Sequence, residues 1–216
     1  MRELSVTDLW TIVLAARWTL ALAAIALTGG AIGGLIVALA RTSPSKWLIV
    51  PARTFIMVFQ GTPLLMQLFL VFFGFPVLGI TVNPWIAAGV ALILNTSAFL
   101  GDIWRGCIEA VPAGQVEAAN ALNLSTFHRL KDVILPQAAK IAVPPTVGFM
   151  VQIIKGTSLT AIIGFSELTR TAQIINNSTF SPMPVFALVA FIYFCICWPL
   201  SKWSRRLERR LSASLR

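Results

Sequence analysis

Residues 18–40 read WTLALAAIALTGGAIGGLIVALA and contain no charged side chain. A helix rises 1.5 Å per residue, so about 20 apolar residues cross a hydrocarbon layer of about 30 Å. This run meets that length, and so does 183–201, MPVFALVAFIYFCICWPLS. Working outward from these two, further charge-poor stretches lie between them. They predict spans at about 18–40, 54–78, 83–104, 141–165 and 183–201. The fold class expected is therefore an all-α integral membrane protein with five transmembrane helices, forming one domain over 1–216.

Composition agrees. The chain has 216 residues, 57% hydrophobic and 12% charged, whereas soluble domains use roughly 45–50% apolar and about 25% charged residues. A removable leader fits poorly, because Glu3 and Asp8 spoil a basic start and no small-residue cleavage site closes a short apolar core. The first span is expected to stay in the mature protein.

The formal net charge of +9 does not point to nucleic acid, since the charges sit between apolar spans instead of on a solvated face. Thirteen of the 17 basic residues fall in alternate connections. Arg41, Lys46 and Arg53 are in the first, Arg105, Arg129, Lys131 and Lys140 in the second, and Lys202, Arg205, Arg206, Arg209, Arg210 and Arg216 in the tail. The positive-inside asymmetry puts these segments in the cytoplasm, the N-terminus outside and the C-terminus inside. Cys107, Cys195 and Cys197 have neither disulfide nor zinc spacing and read as small apolar fillers. His128, the single histidine, reads as a solvated polar residue, and without clustered acids an enzyme is disfavoured.

Within the spans, Gly29, Gly30, Gly33 and Gly34 recur at helical steps and suit close helix packing. Pro51, Pro63, Pro144 and Pro145 invite kinks beside a protein-lined cavity. Polar groups at membrane depth, Gln67, Asn95, Thr96 and Ser97, need a protein partner or a cavity. Lys155 costs roughly 2.5–3.5 kcal/mol at mid-bilayer on insertion scales. With Thr157 and Ser158 it either lines a path and meets a carboxylate, or pairs with a carbonyl freed by a kink. Asp102 and Arg105 are spaced to pair on one helix. No carboxylate is read deep in a span, which disfavours a proton-coupled carrier.

The charged connection 108–136 is patterned. Residues 114–122, GQVEAANAL, form a short helix; Asn123 suits the left-handed closing conformation. Ser125 is a candidate N-cap for a second short helix, 126–132, ending before Pro136. The two make a compact cytoplasmic knob suited to a groove on a soluble partner.

Glu117, Ala118, Ala119 and Leu122, then Val133, Leu135, Pro136, Gln137 and Ala138, resemble the coupling loop of ABC importer permeases. Gly61, Thr62, Pro63, Leu64, Leu65 and Gln67 resemble the polar amino-acid branch (the histidine, glutamine, arginine and glutamate type). So do Arg105, Gly106, Ile108, Pro112, Gly114 and Gln115, and also Lys155, Thr157, Ser158 and Leu159. The resemblance implies a permease that moves a polar amino acid across a bacterial cytoplasmic (inner) membrane. Its implied partners are a cytoplasmic ABC ATPase dimer, a second permease copy and an extracytoplasmic amino-acid-binding protein. ATP would be used by the ATPase, with no cofactor or metal on this chain and no catalytic residue.

The coupling residues implied are Gly114, Gln115, Glu117, Ala118, Ala119, Leu122 and Asn123. Glu117 carries the contact there, or is a solvated helix residue. A substrate path would involve Thr62, Gln67, Asn95, Ser97, Lys155, Thr157 and Ser158. The chain departs from the family pattern at Gln60 (usually Arg), Asp102 (usually Glu), Asn123 (usually Gly) and Gly148 (usually Asn). The other function class left open is a membrane scaffold that docks a partner through the same knob without passing cargo.

Overall fold

The computed structural model describes residues 2–214, with side chains to Leu211; Arg216 of the basic tail lies outside the described residues. Every regular element described is helical. In chain order they are α1 (Val6–Arg41), α2 (Lys46–Gly61), α3 (Leu64–Val77), α4 (Pro84–Glu109), α5 (Ala113–Ala121), α6 (Thr126–Ile163), α7 (Leu168–Thr179) and α8 (Pro182–Ser214). Four are long and apolar enough to cross a membrane, and α2 with α3 makes a fifth if that bent pair counts as one span.

The helices run past the apolar stretches that predict them. In α1 the reason is local: Ser5 accepts from the Asp8 amide while the Asp8 carboxylate accepts from the Ser5 amide, a capping box. The helix therefore begins twelve residues before Trp18 and, at 36 residues, extends about 54 Å.

α1 and α4 run parallel along the glycine stripe. A Cβ on Gly30 would stand 2.2 Å from Thr96 Cγ2, one on Gly33 2.3 Å from Ser97 Oγ, and one on Gly34 2.9 Å from Leu100 Cβ. The absent side chains let the two backbones close up. Leu22, Ala26, Leu68, Ala91, Leu92, Leu100, Phe149 and Ile153 fill the main core between α1, α3, α4 and α6. A second cluster, Ile12, Leu168, Ala172, Ile175, Val185 and Val189, joins α1, α7 and α8 at the other end.

Two expectations are revised. The 126–132 segment is not a separate helix ending before Pro136: it runs on into α6 through a widened turn at Arg129–Ile134. A proline clashes with the carbonyl four residues back and lacks a donor, and a widened turn moves that carbonyl aside. The same pairing occurs in α3, where the widened turn Leu70–Gly74 precedes Pro76. Similarly, the connection after residue 165 contains α7, packed against α1 and α8.

Candidate functional sites: a helical knob and a polar cavity

The knob follows α4 at the end of the bundle where α1, α4 and α8 terminate. Its turn has the geometry the sequence predicts. Asn123 takes φ 54, the Asn123 amide donates to the Asn120 carbonyl at 2.9 Å, and the Leu124 amide to the Ala119 carbonyl at 3.1 Å. This paired closure satisfies carbonyls that the end of α5 leaves over. Ser125 then caps α6, its hydroxyl accepting from the His128 amide.

Side chains staple the two helices together. The Arg129 guanidinium donates to Asn120 Oδ1, and Gln137 Nε2 donates to Gln115 Oε1 at 3.2 Å. His128 is exposed and faces Asp132 at 2.9 Å.

Glu117, Ala118 and Leu122 are exposed, Leu122 by 74%. Glu117 makes no hydrogen bond or ion pair among the described residues. Ala119, at 3% exposure, is turned inward and packs within the chain. The presented surface is therefore Gly114, Glu117, Ala118 and Leu122, with Phe127 beside it at 65%.

The cavity forms where the α2–α3 pair breaks. The two helices meet at 104° across Gly61–Pro63, because Pro63 has no amide to continue α2. Gln67 repairs the break: its Nε2 donates to the Phe59 carbonyl at 2.8 Å, the Thr62 carbonyl at 3.1 Å and Thr62 Oγ1 at 2.9 Å. Asn95 Nδ2 donates to Gln67 Oε1 at 3.0 Å. A cavity of about 200 Å³ opens beside this cluster, lined by Thr62, Asn95, Thr96 and Gln152 among apolar walls from Leu92, Phe99, Phe149 and Ile153.

Of the path residues expected, the structure brings together Thr62, Gln67 and Asn95. Gln67 lies behind the cavity as the staple of the break. Ser97 bonds the Ile93 carbonyl at 2.7 Å and packs on Gly33. Thr157 and Ser158 bond their own helix, to the carbonyls of Ile154 at 2.7 Å and Lys155 at 2.6 Å.

Lys155 is exposed on the single chain, its ammonium makes no hydrogen bond or ion pair among the described residues, and it is not in the cavity wall. Asp102 and Arg105 pair at 2.9 Å as expected, with Glu109 also on Arg105.

Two residues escape the reading by sequence. Gln152 lies on α6 one turn before Gly156, and as an amide within an apolar stretch it carries the same signal that singles out Gln67 and Asn95. Glu167, in the connection between the last two predicted spans, is fully buried against Thr19 and Tyr193. It lies outside the predicted spans, as the cap of α7, and is buried because α7 folds back between α1 and α8 and carries its cap inward.

Residues 30–213 match the family model described as binding-protein-dependent transport system inner membrane component. The chain is 36% identical over 193 residues to a probable amino-acid ABC transporter permease, YckA, of Bacillus subtilis, covering 89% of this chain and 85% of that one. It is 37% identical to the L-cystine transport system permease TcyB of the same organism, covering 90% and 83%. With the glutamine transport system permease GlnP of Escherichia coli it shares 35% identity, covering 91% and 90%.

Among solved structures, an amino acid ABC transporter crystallised with histidines superposes with a TM-score of 0.87 at 35% identity, covering 92% of this chain and 93% of that one. The MetNI methionine ABC transporter shares the fold, with a TM-score of 0.74 at 18% identity, covering 94% and 99%. With its knob, its broken span and these relatives, the chain belongs to the family of binding-protein-dependent transport system inner membrane components, as a permease subunit of the amino-acid ABC type.

Proposed function

We propose that this permease carries a polar amino acid inward, driven by ATP that a separate cytoplasmic ATPase pair hydrolyses on the knob. The basic end of the bundle is the cytoplasmic one, with the N-terminus outside and α2–α3 serving as one broken span. An extracytoplasmic binding protein delivers the cargo to the opposite end, and two permease chains enclose the path in the inner membrane.

The observation that carries this reading is the continuity of α6. The helix begins in the knob at Thr126 and reaches the cavity wall at Gln152, Ile153 and Gly156. Thr126 stands about 39–45 Å from these wall residues along one continuous helix. A displacement at Glu117 and Leu122 reaches α6 through the Asn120–Arg129 and Gln115–Gln137 staples, and so moves one wall of the cavity against Thr62 and Asn95. Asn95 and Gln152 offer both donors and acceptors there, which suits the charged backbone groups every amino acid carries.

Lys155 supports a second chain. An uncompensated ammonium at membrane depth costs roughly 2.5–3.5 kcal/mol on insertion scales, and among the described residues no acidic side chain pairs with it. A partner permease or the shared path covers Lys155 and gives it an acceptor.

The test is Glu117→Lys in the reconstituted complex. Uptake per ATP hydrolysed is expected to fall at least tenfold, about 1.4 kcal/mol of lost coupling; undiminished coupling would remove Glu117 from the contact.

A further inference from the structure

Glu167 takes no part in the knob or the cavity lining, yet it is fully buried. Its Oε2 accepts from the Thr19 hydroxyl of α1 at 3.2 Å and the Tyr193 hydroxyl of α8 at 3.1 Å. Its Oε1 accepts from the Arg170 amide at 2.9 Å, capping α7. Thr19 Oγ1 in turn accepts from the Leu168 amide at 3.2 Å. No lysine, arginine or histidine forms an ion pair with it among the described residues. Among the described residues Glu167 is thus a fully buried carboxylate without a cationic partner, which is costly to keep without a use.

The chain path suggests the use. Gly156 lines the cavity. Thr157–Ile163 then tightens into a narrower turn, Gly164 reverses the chain at φ 86, and Glu167 follows three residues later. The Tyr193 hydroxyl also lies 3.3 Å from the Thr169 hydroxyl in the first turn of α7. One polar node therefore fixes the far end of the strap 157–166, where it enters α7.

We propose that Glu167 is a positioning residue for the cavity: by tying this strap to α1 and α8, it fixes the end of α6 that sets Gln152, Ile153 and Gly156 opposite Thr62 and Asn95. The inference rests on the cavity being the cargo site. The role is geometric. A glutamine can give its carbonyl to the Arg170 amide and turn its NH₂ toward the two hydroxyl oxygens, which accept as well as donate. An alanine takes the acceptor from the buried Thr19 hydroxyl and from the half-buried Arg170 amide, and leaves the Tyr193 hydroxyl with Thr169 alone.

The experiment uses the complete transporter, permease with its ATPase and binding protein, in proteoliposomes taking up labelled glutamine and cystine. Glu167→Ala is expected to raise KM on the order of tenfold, the loss of one or two net hydrogen bonds, while ATP hydrolysis without cargo stays unchanged. Tyr193→Phe moves KM the same way by about threefold, and Glu167→Gln stays within about twofold of the parent.

An unchanged KM in Glu167→Ala overturns the proposal, and so does a Glu167→Gln variant as impaired as alanine, which would make the charge and not the geometry the requirement. If Glu167→Ala does not accumulate in the membrane, Tyr193→Phe and Thr19→Val carry the test, and unaltered KM in both refutes it. Asn95→Leu measured alongside separates the two readings. Normal kinetics there remove the cavity assignment and this inference with it; impaired kinetics there beside a normal Glu167→Ala remove this inference alone.

Discussion

The side-chain amide of Asn95 on α4 donates to Gln67 Oε1 on α3 at 3.0 Å, and Gln67 in turn spends its own amide on the Phe59 and Thr62 carbonyls. The bond joins a residue that faces the cavity to one that holds the chain break open. The two positions should therefore fail in different ways. Gln67→Leu takes the side-chain donor from two carbonyls at the break and is expected to destabilise the protein by about 1–3 kcal/mol, read as a lowered Tm in detergent. Asn95→Leu leaves those carbonyls bonded, so Tm should hold while uptake of labelled amino acid falls. Equal Tm losses in both would contradict the division of roles.

The α1–α4 seam makes a second, purely steric prediction. Gly30→Ala places a Cβ 2.2 Å from Thr96 Cγ2, closer than any packed pair tolerates, and overpacking of this kind costs typically 1–3 kcal/mol. At Gly106 on α4, by contrast, a Cβ would meet nothing within 4 Å. Gly106→Ala is expected to be neutral or stabilising by up to about 1 kcal/mol, since alanine has the better helix propensity. Thermal unfolding of the two single variants checks the contrast.

How far the sequence carries can be judged residue by residue. The glycine stripe, the Asn123 turn, the Ser125 cap and the Asp102–Arg105 pair are local patterns, and each is realised where the spacing puts it. What escaped depends on tertiary placement. Pro136 reads as a helix stop because a regular helix cannot hold it, and only the widened turn at Arg129–Ile134 reveals why it stays. Glu167 looks like a loop residue until α7 folds between α1 and α8. Thr157 and Ser158 group with Lys155 by adjacency in sequence, whereas the fold turns their hydroxyls to carbonyls of their own helix.

The knob turn is sensitive to backbone conformation. Asn123 holds φ 54, where a β-branched residue pays roughly 1–2 kcal/mol or more. Asn123→Val is therefore expected to loosen the α5–α6 corner and to weaken ATPase association in pull-down from detergent. Asn123→Gly, which meets no strain at positive φ, should bind at least as well as the parent. Retention of full association by Asn123→Val would mean that the rigidity of the corner is irrelevant to docking.

The Asn120–Arg129 staple offers a related check inside the knob. Arg129→Ala removes the donor to Asn120 Oδ1 without touching exposed Glu117 or Leu122. ATP hydrolysis by the complex should persist while uptake per ATP falls by a few-fold, because about 1 kcal/mol of linkage between α5 and α6 is lost. Parallel loss of both activities would instead indicate a failure to assemble.

As the proposed seat of a separate ATP-driven motor, the exposed knob is best probed by the mass of the intact assembly purified through the permease, with Leu122→Asp as its control. Two permease chains with two ATPase chains are expected for the parent, and permease without ATPase once the exposed apolar residue is charged. A parent protein that purifies with no ATPase at all, or a Leu122→Asp complex of unchanged mass and activity, would contradict that role.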